Sequence, residues 1–378
     1  MEYQSLAIKH LHADLSRTSC WDEELIFVIF MLGLSTSWHV VTDLGIVHLK
    51  AIQQAIHEPN FRRKCDSQIL KFFKEALVYW EMVISSVHDD VVVHNDLIAN
   101  TTPVLGPLHD SHMFLPGSTP QIMPHPWTGI AAGPQILFAR AVHCIRQARS
   151  FDPVGSRPES IGNPLDRFLG TLNELESDIW KMRLPALHEI ASTGDRNTPA
   201  IHHLLVAEAY MYATMYQLYY IFRNLRLRRF TLMGGILGNE SLLQDSWALY
   251  QEKSWNCLSQ TPCGSERWVK LLGRNVILRL EQIQDTSGTC CVHPLLLLVG
   301  STSLSVIPEL EESLEVREVF RVRRFVLDRV SQVSASKLSE PVFQVHSVIL
   351  EIFRRLDLGL EVFWMDILNA LDFVTIIG

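Results

Sequence analysis

Apolar residues recur along this chain mostly at helical spacing, so the pattern predicts helices and offers no strand pairs. Trp21 to Leu34 reads as one apolar helix opened by Asp22, Glu23 and Glu24. Asp43 to Ile56 follows with a stripe at Leu44, Val47, His48, Ala51, Ile52 and Ala55, and Pro59 is expected to stop it. Ser67 to Val87 is a third helix, with Phe72, Ala76, Tyr79 and Val83 pointing inward.

The pattern then lapses. From Asn100 to Gly133 the chain carries Pro103, Pro107, Pro116, Pro120, Pro124 and Pro126 and no period, which reads as a long irregular connection over about 100–133. Gly133 as N-cap and Pro134 at the first helical position restart the helices. There Ile136, Leu137, Ala141, Cys144, Ile145 and Ala148 share a face, while Gln135, Arg146 and Arg149 fall elsewhere. Further helices are predicted over Asn163 to Ile190, His202 to Phe230, Glu240 to Lys253, Glu266 to Gln284, Pro294 to Leu304 and Leu314 to Val333. The last two are Pro341 to Leu356, with Val342, Val345, Ile349, Ile352, Phe353 and Leu356 inward, and Val362 to Leu371, with Gly359 as a C-cap between them. The expected fold is all-α: residues 1–20 are an N-terminal segment and residues 21–378 one multi-helix domain.

Composition narrows the class. At 378 residues, 47% hydrophobic and 20% charged, the chain can bury a large core. A net charge of −8 argues against holding nucleic acid through the protein's own field. Two basic runs, Ile221 to Arg229 and Arg321 to Arg324, are read as solvated helix faces. The seven cysteines form no disulfide framework, and Cys144 sits on an apolar face. Residues 1–20 mix charges without an apolar core, and Leu25 to Leu34 is too short to span a bilayer, so a soluble intracellular protein is expected.

Candidate chemistry is sparse. His88 to Asp96 (HDDVVVHND) holds metal-ligand residue types, but at a helix end beside the Pro-rich connection. Asp89-Asp90 lacks the third acid that isoprenoid cyclisation asks for, and Asn95-Asp96 lacks the rest of its triad. His202-His203 is outside any HExxH motif and reads as capping or surface, while Gly300-Ser301 is outside G-x-S-x-G. No P-loop or G-x-G-x-x-G appears. No catalytic, metal, cofactor or DNA-binding residue is assigned.

Four pieces, in order, resemble one family. They are Ser35 to Ile56 with Trp38, PWTGI (Pro126, Trp127 and Gly129 among it) before a helix, HPLLLLVGS with Pro294 and Gly300, and Phe353 to Leu368 with Asp357, Gly359 and Trp364. Together they are similar to the fungal-specific regulatory domain of zinc-cluster transcription factors. The resemblance implies an all-α regulatory domain, these nine residues as structural motif positions, and a nuclear regulator of transcription. Its implied partners are other transcription factors or the transcription machinery, with DNA reached indirectly, no membrane, and a small effector between helices. Trp127 is expected to plug into the bundle. The family's usual six cysteines in C-x2-C-x6-C blocks are not seen, since Cys20 and Cys65 stand alone. Regulators lacking the zinc module occur in fungal secondary metabolism, trichothecene toxin pathways among them, and that implies a biosynthetic gene set as target. Two alternatives stay open: an incomplete gene model of a DNA-binding zinc-cluster factor, and an all-α biosynthetic enzyme.

Overall fold

The computed structural model describes residues 21–88, 121–150, 164–236, 264–306, 314–337 and 340–375, with 6, 8–11, 13 and 377. Glu240 to Lys253 and nearly all of His88 to Asp96 lie outside them. The described residues form helices, with backbone bridges only at Ile122–Ile190 and His125–Gly129. The fold is all-α.

Four helices come first: α1 (Glu23–His39), α2 (Ile46–His57), α3 (Pro59–Lys64) and α4 (Ser67–Ser85). Asp22 caps α1 by accepting the Leu25 N–H at 2.8 Å, with Glu23 and Glu24 at the positive end of the dipole. The buried stripe of α2 is Leu49, Ile52, Ala55 and Ile56, and Val47 is 80% exposed. The predicted stripe is thus rotated, because α2 begins only after Gly45 and packs on α1 and α4. As expected α2 stops just before Pro59, where Glu58 is extended, and Pro59 also starts the next helix, sitting in the first turn of α3 where its missing N–H costs nothing. These helices enclose a smaller core around Phe30, Phe73 and Trp80.

The larger core holds α5 (Ala132–Ser150), α6 (Pro164–Lys181), α7 (Ala200–Ile221), α8 (Arg223–Ile236), α9 (Gly264–Glu281), α10 (His293–Ser301), α11 (Leu314–Lys337), α12 (Glu340–Asp357) and α13 (Trp364–Ala370). The helix α5 starts two residues earlier than Gly133 as a cap would have it, at Ala132 instead of Pro134, since the Gln135 N–H already donates to the Ala131 carbonyl. Pro134 is tolerated there because it remains among the first four residues, whose N–H groups have no partner within the helix. Gln135 is fully buried, so α5 is enclosed more completely than one face. Its Arg146 donates to the Ser85 and Ser86 carbonyls at 3.1 and 3.0 Å and so caps the end of α4. The helix predicted to reach Ile190 ends at Lys181, since Pro185 turns the preceding residue away from helical geometry, and Leu169 is exposed. The helix predicted over His202 to Phe230 is two helices, because Phe222 leaves helical geometry (φ −95°, ψ 81°) and packs on Phe168.

All nine residues of α10 are buried. Two buried arginines of α11 bracket it. Arg323 donates to the Leu304 carbonyl just past its end, and Arg329 lies 3.2 Å from His293 Nδ1 at its start. The crossing of α10 with α9 is close: a Cβ on Gly300 would stand 2.8 Å from Ile277 Cγ1.

Gly300→Ala is therefore expected to cost about 1–3 kcal/mol through overpacking. Gly170→Ala, in a helix with nothing within 4 Å of the added carbon, should gain about 0.5–1 kcal/mol. Urea denaturation of the two variants checks both signs.

Candidate functional site

The turn at HPWTGI is the joint between the two cores. His125 and Gly129 exchange backbone hydrogen bonds at 2.8 Å each, closing a short loop over Pro126, Trp127 and Thr128. Inside it, His125 Nδ1 accepts from the Trp127 and Thr128 N–H groups at 3.1 and 3.2 Å. A ring nitrogen that accepts two backbone protons must itself be unprotonated. Burial acts in the same direction and lowers the His125 pKa to about 4. Gly129 has φ +59°, and a Cβ there would lie 2.7 Å from His203 Nδ1, so both conformation and contact call for glycine. Pro126 is exposed.

Half-buried Trp127 packs against both cores. Its ring centroid is 6.0 Å from that of Phe30, 5.9 Å from Phe72 and 5.9 Å from His125, in tilted and edge-on contacts. The indole lies in the bundle, at the point where the chain passes into α5.

The seam between α5 and α7 carries polar side chains at seven-residue spacing, His203, Tyr210 and Gln217, all buried. His203 meets Gly129, and Gln217 Nε2 donates to the Phe138 carbonyl at 3.4 Å. Gln135 comes near the Tyr210 hydroxyl, but no hydrogen bond of regular geometry links the two. Both nitrogens of His203 and the amide oxygens of Gln135 and Gln217 have no hydrogen-bond partner among the described residues. His202 is buried too, 3.0 Å from Ser287 Oγ. The two histidines are thus neither cap nor surface, because α7 is enclosed from its first turn. Burial lowers the pKa of each, and pushes that of fully buried His293 to about 3.

The basic runs are mixed: Arg223, Arg228, Arg321 and Arg324 are exposed as a solvated face would have them, whereas Arg226 and Arg323 are buried. Arg228 and Arg229 donate to the buried Glu176 carboxylate at 2.6 and 2.8 Å, and Arg226, itself buried, lies 3.6 Å from Glu266. Burial alone would raise the Glu176 pKa, but hydrogen bonds from Arg229, Arg228 and Tyr219 outweigh it and hold the carboxylate ionised. Arg321 pairs with Glu281 and Glu318. Buried Arg323 donates to Asp357 Oδ1 at 2.7 Å as well as to Leu304. A cleft of about 390 Å³ beside α11 is lined by Glu281, Asp285, Arg321, Arg324, Asp328 and Arg329, and its arginines already have acceptors.

Among the described residues no group of three His, Cys, Asp or Glu side chains is arranged to hold a metal. No helix there is long and apolar enough to cross a membrane.

The other motif residues fall in separate places. Trp38 is 61% exposed on α1. Pro294 and Gly300 are buried in α10. Asp357 holds Arg323, and Gly359 has φ +72° in the turn that ends α12, where the Leu360 N–H returns to the Arg355 carbonyl. Trp364 is fully buried, its ring stacked on Phe138 at 6.5 Å. The sequence reading missed the His203–Tyr210–Gln217 seam. Its signal was a seven-residue polar repeat on a largely apolar helix that also carries His202, Glu208 and Thr214.

A helical shell with this turn at its joint matches one family along nearly its whole length: the sequence model of the fungal specific transcription factor domain covers residues 1–376. The chain belongs to that family. No curated protein and no solved structure gives a significant match. A fungal specific transcription factor domain points to a regulator of transcription rather than an enzyme. In this regulatory domain the HPWTGI turn is a structural joint, and its chemistry is that of a hydrogen-bonded cap.

Two outcomes test the joint. Trp127→Ala should cost about 2–4 kcal/mol, the range for truncating a large packed side chain, read by chemical denaturation. The folded protein holds His125 neutral, whereas the unfolded chain protonates it near its ordinary value of 6.5. The unfolded state then binds more protons, so stability is complete above pH 6.5 and falls as the pH drops toward about 4. A pH series of thermal melts should show that fall, and His125→Gln should make it shallower while lowering the midpoint at pH 7.

Proposed function

We propose that this regulator acts in the nucleus through protein–protein contacts, reaching DNA by way of a partner, and that its targets are a biosynthetic gene set of secondary metabolism. The observation that carries the protein-contact reading is the fate of the arginines. Binding to DNA through the protein's own field needs a concentrated basic face. Of the arginines in the two runs, Arg226, Arg228, Arg229, Arg321 and Arg323 are instead engaged with Glu176, Glu266, Glu281, Glu318 and Asp357, and exposed Arg324 lies 3.8 Å from Asp328. The net charge of −8 favours the same reading. The biosynthetic target set is carried over from the family resemblance, since regulators of secondary metabolism are among such factors. A small effector between helices is part of the proposal, and the unpartnered polar groups of the α5–α7 seam are where it would be read.

Transcript profiling of a deletion strain against its parent under producing conditions tests the reading. A collapse across neighbouring biosynthetic genes is the expected result. Unchanged transcripts with a lost metabolite would sink it. Mobility-shift assays of the purified chain on the affected promoters should give no shift at physiological salt. A sequence-specific shift would replace indirect with direct DNA contact.

A further inference from the structure

The helix α1 is only half enclosed. Leu25, Ile26, Ile29 and Phe30 enter the smaller core, and Leu32 is buried too. On the opposite side Phe27, Met31 and Trp38 are 43%, 45% and 61% exposed, and Leu34 between them is half-buried at the edge of this face, where it also packs against the smaller core. Their spacing is four, three, four. That is the seam of a helix prepared for a second helix, with knobs at alternating heptad positions.

We infer that this seam is a self-association surface, on which α1 of a second copy of the chain packs antiparallel about a two-fold axis. Three features favour a second copy. First, the seam is symmetric about the midpoint between Leu32 and Gly33, so reversing the helix sets Phe27 against Trp38 and Met31 against Leu34. An isologous interface requires this self-complementarity. Aromatic then meets aromatic at both ends, and two unbranched or γ-branched aliphatic side chains meet in the middle.

Second, charge follows the same symmetry. The first turn of α1 carries Glu23 and Glu24, and the last turn carries His39. Antiparallel pairing brings the acidic turn of each copy to the end where the other presents His39 and the negative pole of its dipole. Parallel pairing would set acid against acid. Third, Glu24 and His39 are exposed beyond the two ends of the seam, so they form a polar rim around an apolar centre, as a protein interface requires. The 17 residues of α1 give a contact about 25 Å long.

Sedimentation equilibrium of the purified full chain tests the inference. The expected mass is twice 43.1 kDa at the upper end of a concentration series. Met31→Glu combined with Trp38→Glu should raise the dissociation constant at least ~100-fold, since a few large apolar and aromatic anchors dominate such contacts. Circular dichroism should be unchanged, because both side chains are exposed. Register is tested separately by mixing two single variants, Met31→Cys and Leu34→Cys, under mild oxidation. The mixture should yield more disulfide-linked dimer than either variant alone or the parent chain.

A monomer at every concentration overturns the inference, and so does a dimer that survives the paired glutamates. A Met31→Cys variant that cross-links with itself better than with Leu34→Cys overturns the antiparallel register. A monomer whose α1 face is protected from hydroxyl-radical labelling would assign the face to another segment of the chain or to another protein, and would equally overturn self-pairing.

Discussion

The helix α7 has almost no side that can face water, and the rest of the molecule is arranged to meet that constraint. Sixteen of its 22 residues are buried, and most of its polar groups are met there by a neighbour, His203 and the Gln217 amide oxygen excepted. Tyr216 meets Thr302 at 2.9 Å, and Tyr219 donates to Glu176 at 2.9 Å while accepting from Trp180 Nε1 at 2.8 Å. Those partners lie on α6 and just past α10. One helix therefore fixes where several others stand. The fully buried α10 repeats the same demand, and α11 meets it with Arg323 and Arg329.

Much of this was legible in the sequence, and the limits have physical causes. The stripe predicted for α12 is the buried one, Val342, Val345, Ile349, Ile352, Phe353 and Leu356, because one strong amphipathic face admits one packing. The stripe of α2 came out rotated, since His48 and Val47 compete with Leu49 and Ile56 and only the position of α1 and α4 decides between them. The arginine runs were read correctly at their exposed members and not at Arg226 and Arg323, because charge density alone does not tell a solvated guanidinium from a buried one. Glu176 is more than 40 residues before its arginines, and no local pattern announces the pair. Of the candidate site, the turn at Trp127 was visible through its Pro and Gly. The contact between Gly129 and His203 was not, since it spans two elements far apart in the chain.

For a regulator of transcription, the described residues place polarity in ways that serve shape. His125 works as an acceptor inside a turn, Asp357 as an anchor for Arg323, and Gly300 as a clearance between helices. Each fixes the relation of one surface to another. The α1 seam is then presented on the outside of a core whose inner contacts are already complete.

The smaller core has a property that the larger one lacks: among the described residues nearly all of it is made from one continuous stretch, Leu25 to Ile84, with Trp127, Ala132 and Ile136 arriving from further on. Contacts so close in sequence close short loops and form fast, whereas the larger core must wait for helices spread from Leu44 to Ile377. During synthesis from the N-terminus this first part has the residues it needs long before α7 exists. Trp127 then docks onto a surface that is already assembled. The order in which the ribosome delivers the chain matches the order in which its cores can close.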